Sequence, residues 1–377
     1  MSSTGSQSLS ARLQVRLQVR LQVRVLAAID AAGGWLPFDR FMALALYEPG
    51  LGYYARGSRQ FGSLPSSGSD FITAPELSPL FGQALARQVA QALDAAQLDE
   101  VFEFGAGSGA LAAQLLAALG PRLRRYSIVE LSATLREQQA QVLAPWAAQV
   151  RWLDALPVQM QGVVVGNEVL DAMPVQLLHW DGTRWLERGV VVAAGALAWG
   201  DCPTPLRPPW RGPFVPGTVT EIHAQAEAFM RTLAERLTRG AAFFIDYGFP
   251  EAEYYHPQRT GGTLMCHRAH RADTDPLADV GDKDITAHVN FSAIALAGQD
   301  AGLDVLGYCS QARFLLNCGL IELMQDADLR RRTNAQKLVN EHEMGELFKV
   351  IAFGRGLQPQ ALADPLGFAV GDRMHTL

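Results

Sequence analysis

Short apolar runs alternate with stretches of helical period along most of this chain. Asp39–Leu46 and Ala110–Ala118 repeat apolar residues at helical spacing, and Glu76–Leu93 reads as one longer helix. Between them, Val101–Phe104, Tyr126–Glu130, Val150–Leu153, Gly162–Gly166 and Ala241–Tyr247 are apolar runs of buried-strand length. Phe291–Ala301 reads as a helix, Leu303–Ser310 and Phe348–Gly354 as the last strands, with helices between 313 and 346. Strands alternating with helices predict an α/β fold around a mainly parallel sheet of seven strands.

The alternating region opens on one more helical stretch, and beyond Gly166 the alternation breaks in three places. Val25–Ala32 is a short helical stretch ended by Gly33-Gly34. Gln176–Trp199 has strand-like runs about Asp181-Gly182 and Ala193-Ala194-Gly195, which predicts an inserted β-hairpin. Pro203–Pro216 holds six of the twenty prolines, a rigid irregular connector leading to a helix over Thr220–Thr238. Residues 249–290, rich in Gly, His and Asp, show no period, and segments of that length serve as lids or stay disordered. Ahead of all this, Leu-Gln-Val-Arg occurs three times over 13–24, with arginines at 12, 16, 20 and 24. The tetrad suits a helix or a strand equally, and the bland expectation is a disordered extension. Because no acid precedes Asp30, a mitochondrial transit peptide is the alternative. The expected organisation is an extension at 1–24, an N-terminal helical cap at 25–98, and a core at 99–356. Insertions fall at about 174–217, 249–290 and 311–346, and 357–377 is a tail.

Composition narrows the class. At 49 % hydrophobic and 19 % charged, the chain can bury a sizeable core. A net charge of −6 gives no global basic field for nucleic acid. Only three of the 32 basic residues are lysines, a skew that fits a GC-rich bacterial genome. The four cysteines lack C-x-x-C spacing and read as buried thiols of a reducing, cytoplasmic compartment. His267 and His270 have no partner at ligand spacing either, so no metal is expected. No apolar run reaches the length of a membrane span.

The sharpest motif is Glu103-Phe-Gly105-Ala106-Gly107-Ser-Gly109, where a strand feeds a glycine turn and then a helix. Glycines there let backbone N–H groups approach a ligand at the carboxyl edge of the sheet. The dinucleotide fingerprint is G-x-G-x-x-G. Here G-x-G-x-G follows an acid, which suits an amino-bearing ligand such as S-adenosyl-L-methionine and opposes a diphosphate. Glu130, with Leu131 beside it, ends the next strand where a carboxylate can accept from ribose hydroxyls, and Asp154 could meet an adenine amino group. Thr73 and Pro75 are further candidate cofactor contacts; Thr73 with Glu76 also has capping-box spacing. A nicotinamide dinucleotide, or a glycine turn with no ligand, are the competing readings. Seven strands fit a methyltransferase core better than a six-stranded dinucleotide fold.

Asn167-Glu168-Val-Leu-Asp171 follows the fourth strand, where substrate would meet a transferable methyl. A guanidinium nucleophile, with pKa above ~12, needs carboxylates to orient it and take its proton. Asn167, Glu168 and Asp171 are therefore the candidate catalytic residues; an acid that caps a helix or pairs with Arg is the alternative. Tyr47, Tyr53 and Tyr54 crowd one turn, either a lid or a packed cap. Asp246-Tyr247 at the end of the fifth strand and His288 complete the candidate substrate contacts.

Together these segments resemble the mitochondrial complex I assembly arginine methyltransferases and their bacterial MidA-type homologues. The carrying pieces are YEPGLGYY (47–54), DFITAPELSPLFG (70–82), EFGAGSG (103–109), NEVLDAMPV (167–175), IDYG (245–248), GTL (262–264), DITAHVNF (284–291) and GELFKVIAF (345–353). Two features depart from the family: an extra residue in Gly68-Ser69-Asp70-Phe71, and the Leu-Gln-Val-Arg repeat. The resemblance implies a Rossmann-like core with an N-terminal cap, S-adenosyl-L-methionine as cofactor, and a protein arginine as substrate. In the mitochondrial member that arginine lies on a complex I subunit, and a eukaryotic chain of this kind belongs in the matrix. A factor that binds the cofactor without turnover and a nicotinamide oxidoreductase remain the alternatives. Pairing into a homodimer stays open.

Overall fold

The computed structural model describes residues 3–56, 72–268, 271–358 and 362–377, with side chains described from residue 14 onward. Two compact units make up the chain: Met1–Gln60, Ala172–Gln225 and Tyr255–Ala287 form one, and Phe61–Asp171, Ala226–Tyr254 and His288–Leu377 the other.

The larger unit is built on strands β1 (Glu100–Phe104), β2 (Arg125–Val129), β3 (Val150–Leu153), β4 (Met160–Asn167), β5 (Leu237–Phe249), β6 (Val289–Asn290), β7 (Asp304–Ser310) and β8 (Phe348–Arg355). Their order is β7-β8-β5-β4-β1-β2-β3, with β6 beside the end of β5. Strands β1 to β6 run parallel to one another, and β8 runs antiparallel to both β5 and β7. This is a mixed α/β fold around a mostly parallel sheet. The count is eight rather than seven, because two-residue β6 sits inside a segment with no legible period. Val163, Val164, Val165 and Ala241–Ile245 are all at most 1 % exposed, so β4 and β5 are covered on both faces. That explains why they read as continuous apolar runs instead of alternating ones. Since β1–β5 are parallel, their carboxyl ends lie along one edge, and the acid- and glycine-bearing turns collect there.

Several boundaries differ from expectation for local physical reasons. The stretch read as one helix over Glu76–Leu93 is two, Ala74–Leu77 and Pro79–Ala96. Pro79 has no N–H to continue the first helix and a backbone preset to begin the second, which Ser78 caps by accepting from Leu80 N–H. Thr73 makes no side-chain cap bond, so the expected capping box is absent. Pro79–Ala96 packs on Ala110–Leu119 within the larger unit, so residues 25–98 do not form one cap. Thr220–Thr238 is also not all helix: Val219–Ile222 is a strand and the helix is Ala224–Arg236. The alternating, β-branched start pairs with Gln176–Trp180.

In the smaller unit, helix Ser3–Ala31 runs through the Leu-Gln-Val-Arg repeat without a break, in place of a disordered extension at 1–24. Leu21 of the last tetrad is buried with Val25 and Ile29 beyond the repeat, and these three form the apolar row that anchors the helix. The expected hairpin is part of a five-stranded sheet that also takes in Trp35–Pro37, Ala196–Pro203 and Val219–Ile222. The aperiodic 249–290 stretch holds a second sheet of Met265–Arg268, Arg271–Asp273 and Asp284–Thr286. Strands of three or four residues are too short to show a period. The Gly68–Phe71 departure lies outside the described residues, as does His270. Among the described residues, no helix is long and apolar enough to cross a membrane, and no cluster could hold a metal ion.

Candidate active site

The glycine turn leaves β1 at its carboxyl end. Gly105, Gly107 and Gly109 have φ of 65°, 51° and 84°, values that L side chains avoid. Gly105 is exposed, and a Cβ there would stand 3.0 Å from Val169 Cγ2, so this turn lies against the one that follows β4. Ala106, in contrast, buries its methyl in the core and gives its carbonyl to Gly109 N–H, so it has no side chain to offer a ligand.

Three expected cofactor acids belong to consecutive strands. Glu103 in β1 is 2 % exposed and accepts from Tyr126 OH at 2.7 Å. Burial pushes its carboxyl up to about 8, against the lowering effect of that phenol; nearby Glu130 adds to the rise. Glu130, just after β2, accepts from Ser132 N–H at 2.8 Å and from Gln139 Nε2 at 3.3 Å, and burial raises its carboxyl too. Asp154, after β3, is 90 % exposed and pairs with Arg136 at 2.7 Å. Leu131 stands 79 % exposed beside Glu130, an apolar surface suited to a flat ring. Pro75 is buried and its carbonyl accepts from Gln114 Nε2 at 2.7 Å, so it secures a helix junction.

The turn after β4 carries the acids expected to act on substrate. Glu168 has φ 54°, a left-handed backbone that a non-glycine residue adopts only under constraint. The constraint is visible. Glu168 N–H donates to Ile245 O at 2.8 Å, and the next three N–H groups, of Val169, Leu170 and Asp171, converge on Asp246 Oδ2 at 3.1, 2.9 and 3.3 Å. Asp246 Oδ1 accepts from Tyr247 N–H. Asp246 is 1 % exposed, so it is an anchor for the turn and not the substrate contact anticipated from sequence. Its carboxyl is held well above the usual range by burial, then by the like charges of Asp171 and Glu168. Asn167 donates to Glu168 Oε1 at 3.0 Å, while its own buried Oδ1 has no partner. Tyr247 donates to Asp171 Oδ2, and its ring meets His288 edge-on at 5.1 Å. His288 stacks on Phe249 at 5.2 Å.

The tyrosines expected to touch substrate belong to the smaller unit. Tyr53 is fully buried and therefore a packing residue. Tyr54 donates to Asp284 at 2.8 Å, Tyr47 donates to Ala172 O at 2.8 Å, and the two rings stack at 5.6 Å.

Gln139 is the residue that sequence reasoning missed. It is fully buried, donates to Gly107 O at 2.9 Å, and accepts from Trp152 Nε1 at 2.8 Å. One glutamine among the three of Arg136–Gln141 carries no signal in one dimension. Only its position under the glycine turn reveals its role.

An exposed Gly105 in a left-handed turn, a row of carboxyls and an unpartnered Asn167 oxygen fit a ligand bearing amino and hydroxyl groups, and do not fit a diphosphate. The comparisons with known proteins agree. Residues 84–309 match a family described as S-adenosyl-L-methionine-dependent methyltransferases. The chain is 52 % identical, with a TM-score of 0.91, to a Burkholderia thailandensis protein solved with S-adenosyl-homocysteine bound, covering 97 % of this chain and 98 % of that one. It is also 27 % identical to the mitochondrial protein arginine methyltransferase NDUFAF7 of Bos taurus, over 85 % of this chain and 80 % of that protein. The Danio rerio counterpart is 26 % identical, over 86 % and 84 %. With the glycine turn, the acid row and a family match over more than half its length, the chain belongs to the S-adenosyl-L-methionine-dependent methyltransferases and takes that cofactor.

Proposed function

We propose that this methyltransferase acts on the guanidinium of an arginine side chain in a protein, of the respiratory-complex type that the family resemblance implies. The observation that carries this reading is the strained acidic turn: Glu168 at φ 54°, with Asp171 and Asp246 gathered beside it. Left-handed backbone at a non-glycine residue costs of order 1–3 kcal/mol and is kept where geometry serves function. Concentrated negative charge suits a cationic nucleophile better than a hydroxyl or a thiol. The naming of the 26–27 % identical relatives as arginine methyltransferases supports the same substrate. We read the strand order β3-β2-β1-β4-β5-β8-β7 as the Rossmann-like methyltransferase arrangement.

When bound, the cofactor supplies a methyl activated on a sulfonium. Gly105, Gly107 and Gly109 would hold its amino-acid portion, Glu130 its ribose, and Leu131 with Asp154 its base. Glu168 and Asp171 orient the guanidinium, neutralise its charge and accept the proton it sheds; Asn167 fixes the Glu168 carboxylate through the 3.0 Å hydrogen bond.

The test is methyl transfer from radiolabelled S-adenosyl-L-methionine to proteins of the source cell, followed by mass spectrometry of the labelled residue. Wild type should label arginine and Glu168→Gln should not. Label on another residue type overturns the arginine reading. Labelling by Glu168→Gln at the wild-type rate overturns the catalytic assignment. Cofactor binding with no labelled protein favours a factor that binds without turnover.

A further inference from the structure

We propose that Tyr247 is a positioning residue: its hydroxyl grips the Asp171 carboxylate and its wedged ring fixes the direction in which Asp171 meets a cationic nucleophile. The proposal rests on the substrate-facing role given above to Asp171. Successive residues of β5 hold the same turn in different ways. Asp246 takes the backbone N–H groups of residues 169–171, while Tyr247, pointing to the opposite face of the strand, takes the Asp171 side chain through Oδ2. One residue sets where the Asp171 backbone lies, and the other sets how its carboxylate is turned.

The ring is not free to swing. His288 meets it edge-on at 5.1 Å and 77°, and Phe348 of β8 does so at 5.3 Å and 72°. His288 is itself stacked on Phe249 with an interplanar angle of 4°. These contacts give His288 a packing task in addition to the substrate contact that sequence alone suggests. Among the described residues, the charged and titratable groups near Asp171 include Glu168 in its own turn, Asp246 and Tyr247 in β5, and His288 beyond the tyrosine ring. Lys349 of β8 faces Asp246 in register but turns its ammonium to Glu346. The Tyr247 hydroxyl thus stands as a donor to Asp171 Oδ2.

The experiment follows Asp171 directly by NMR of protein carrying ¹³C-labelled aspartate, with S-adenosyl-homocysteine bound and the signal assigned by its loss in Asp171→Asn. Binding of N-acetyl-arginine methylamide is measured in parallel. Tyr247→Phe keeps the ring and removes only the hydroxyl. The titration midpoint of Asp171 should rise by about one pH unit and probe affinity at pH 7 should fall about five- to tenfold. Affinity for S-adenosyl-homocysteine, which reports the fold, should stay at the wild-type value. His288→Ala, which opens the wedge but keeps the phenol, should move the midpoint the same way by less. An Asp171 midpoint unchanged in Tyr247→Phe overturns the proposal. If that midpoint moves but wild type fails to bind the arginine probe, the positioning role stands and the arginine reading falls.

Discussion

Glu103 is where the fold's demands and the site's chemistry meet, and replacing it with glutamine isolates the conflict. The carboxyl titrates at an ordinary 4.5 in an unfolded chain and at about 8 in the native one. Between those limits the native state keeps a proton that the unfolded state has lost, so stability falls as pH rises through the window. The stabilising contribution is complete below pH 4.5 and gone above about 8. At ~1.4 kcal/mol per pH unit, 3.5 units amount to roughly 5 kcal/mol, comparable with the whole stability of many domains. No discount for solvent applies, because the group is fully buried. Glutamine cannot ionise and can still accept from Tyr126 OH. Urea denaturation of both proteins at intervals from pH 5 to pH 9 measures the difference. The Glu103→Gln curve should lie flatter, with the gap between the two widening by several kcal/mol toward high pH. Parallel curves would refute the reasoning, since they would show Glu103 ionised in the native protein at neutral pH or its burial relieved by water.

If an ammonium group of the cofactor reaches Glu103, binding S-adenosyl-homocysteine at pH 7 should release a proton. Calorimetry in two buffers of different ionisation heat detects it, and equal heats would leave Glu103 with a role in the sheet alone. Gln139→Leu should cost about 1–3 kcal/mol of stability and weaken S-adenosyl-homocysteine binding several-fold, by leaving Gly107 O and Trp152 Nε1 without partners; unchanged binding would detach Gln139 from the turn. Gly105→Ala should nearly abolish cofactor binding, because φ 65° disfavours alanine by roughly 1–2 kcal/mol and its methyl would press on Val169. Wild-type affinity in this variant would contradict the assigned cradle. Glu168→Gly should end methyl transfer yet raise thermal stability, by about 1 kcal/mol of relieved backbone strain; a loss of stability would mean that the side chain's contacts outweigh that strain.

The local motif was legible because each of its parts is dictated locally. A buried parallel strand must be apolar on both faces, and a tight turn at its end needs glycine, so β1 and the middle of β4 with the Gly105–Gly109 turn could be read from the sequence. The break at Ser78-Pro79 was equally local and was overlooked in favour of the helical period. Tertiary structure alone decided what the acids do. Sequence offered Asp171 as a catalytic acid and Asp246 as a substrate contact, yet the convergence of three N–H groups from a segment 75 residues away makes Asp246 an anchor. Tyr53 and Tyr54 are neighbours in one motif, yet one is packed and the other holds Asp284. Gln139 and β6 gave no signal, because a single buried amide and a two-residue strand have no period. Backbone conformation and turn chemistry are fixed within a few residues; burial, and with it charge state and role, is fixed by what the rest of the chain brings alongside.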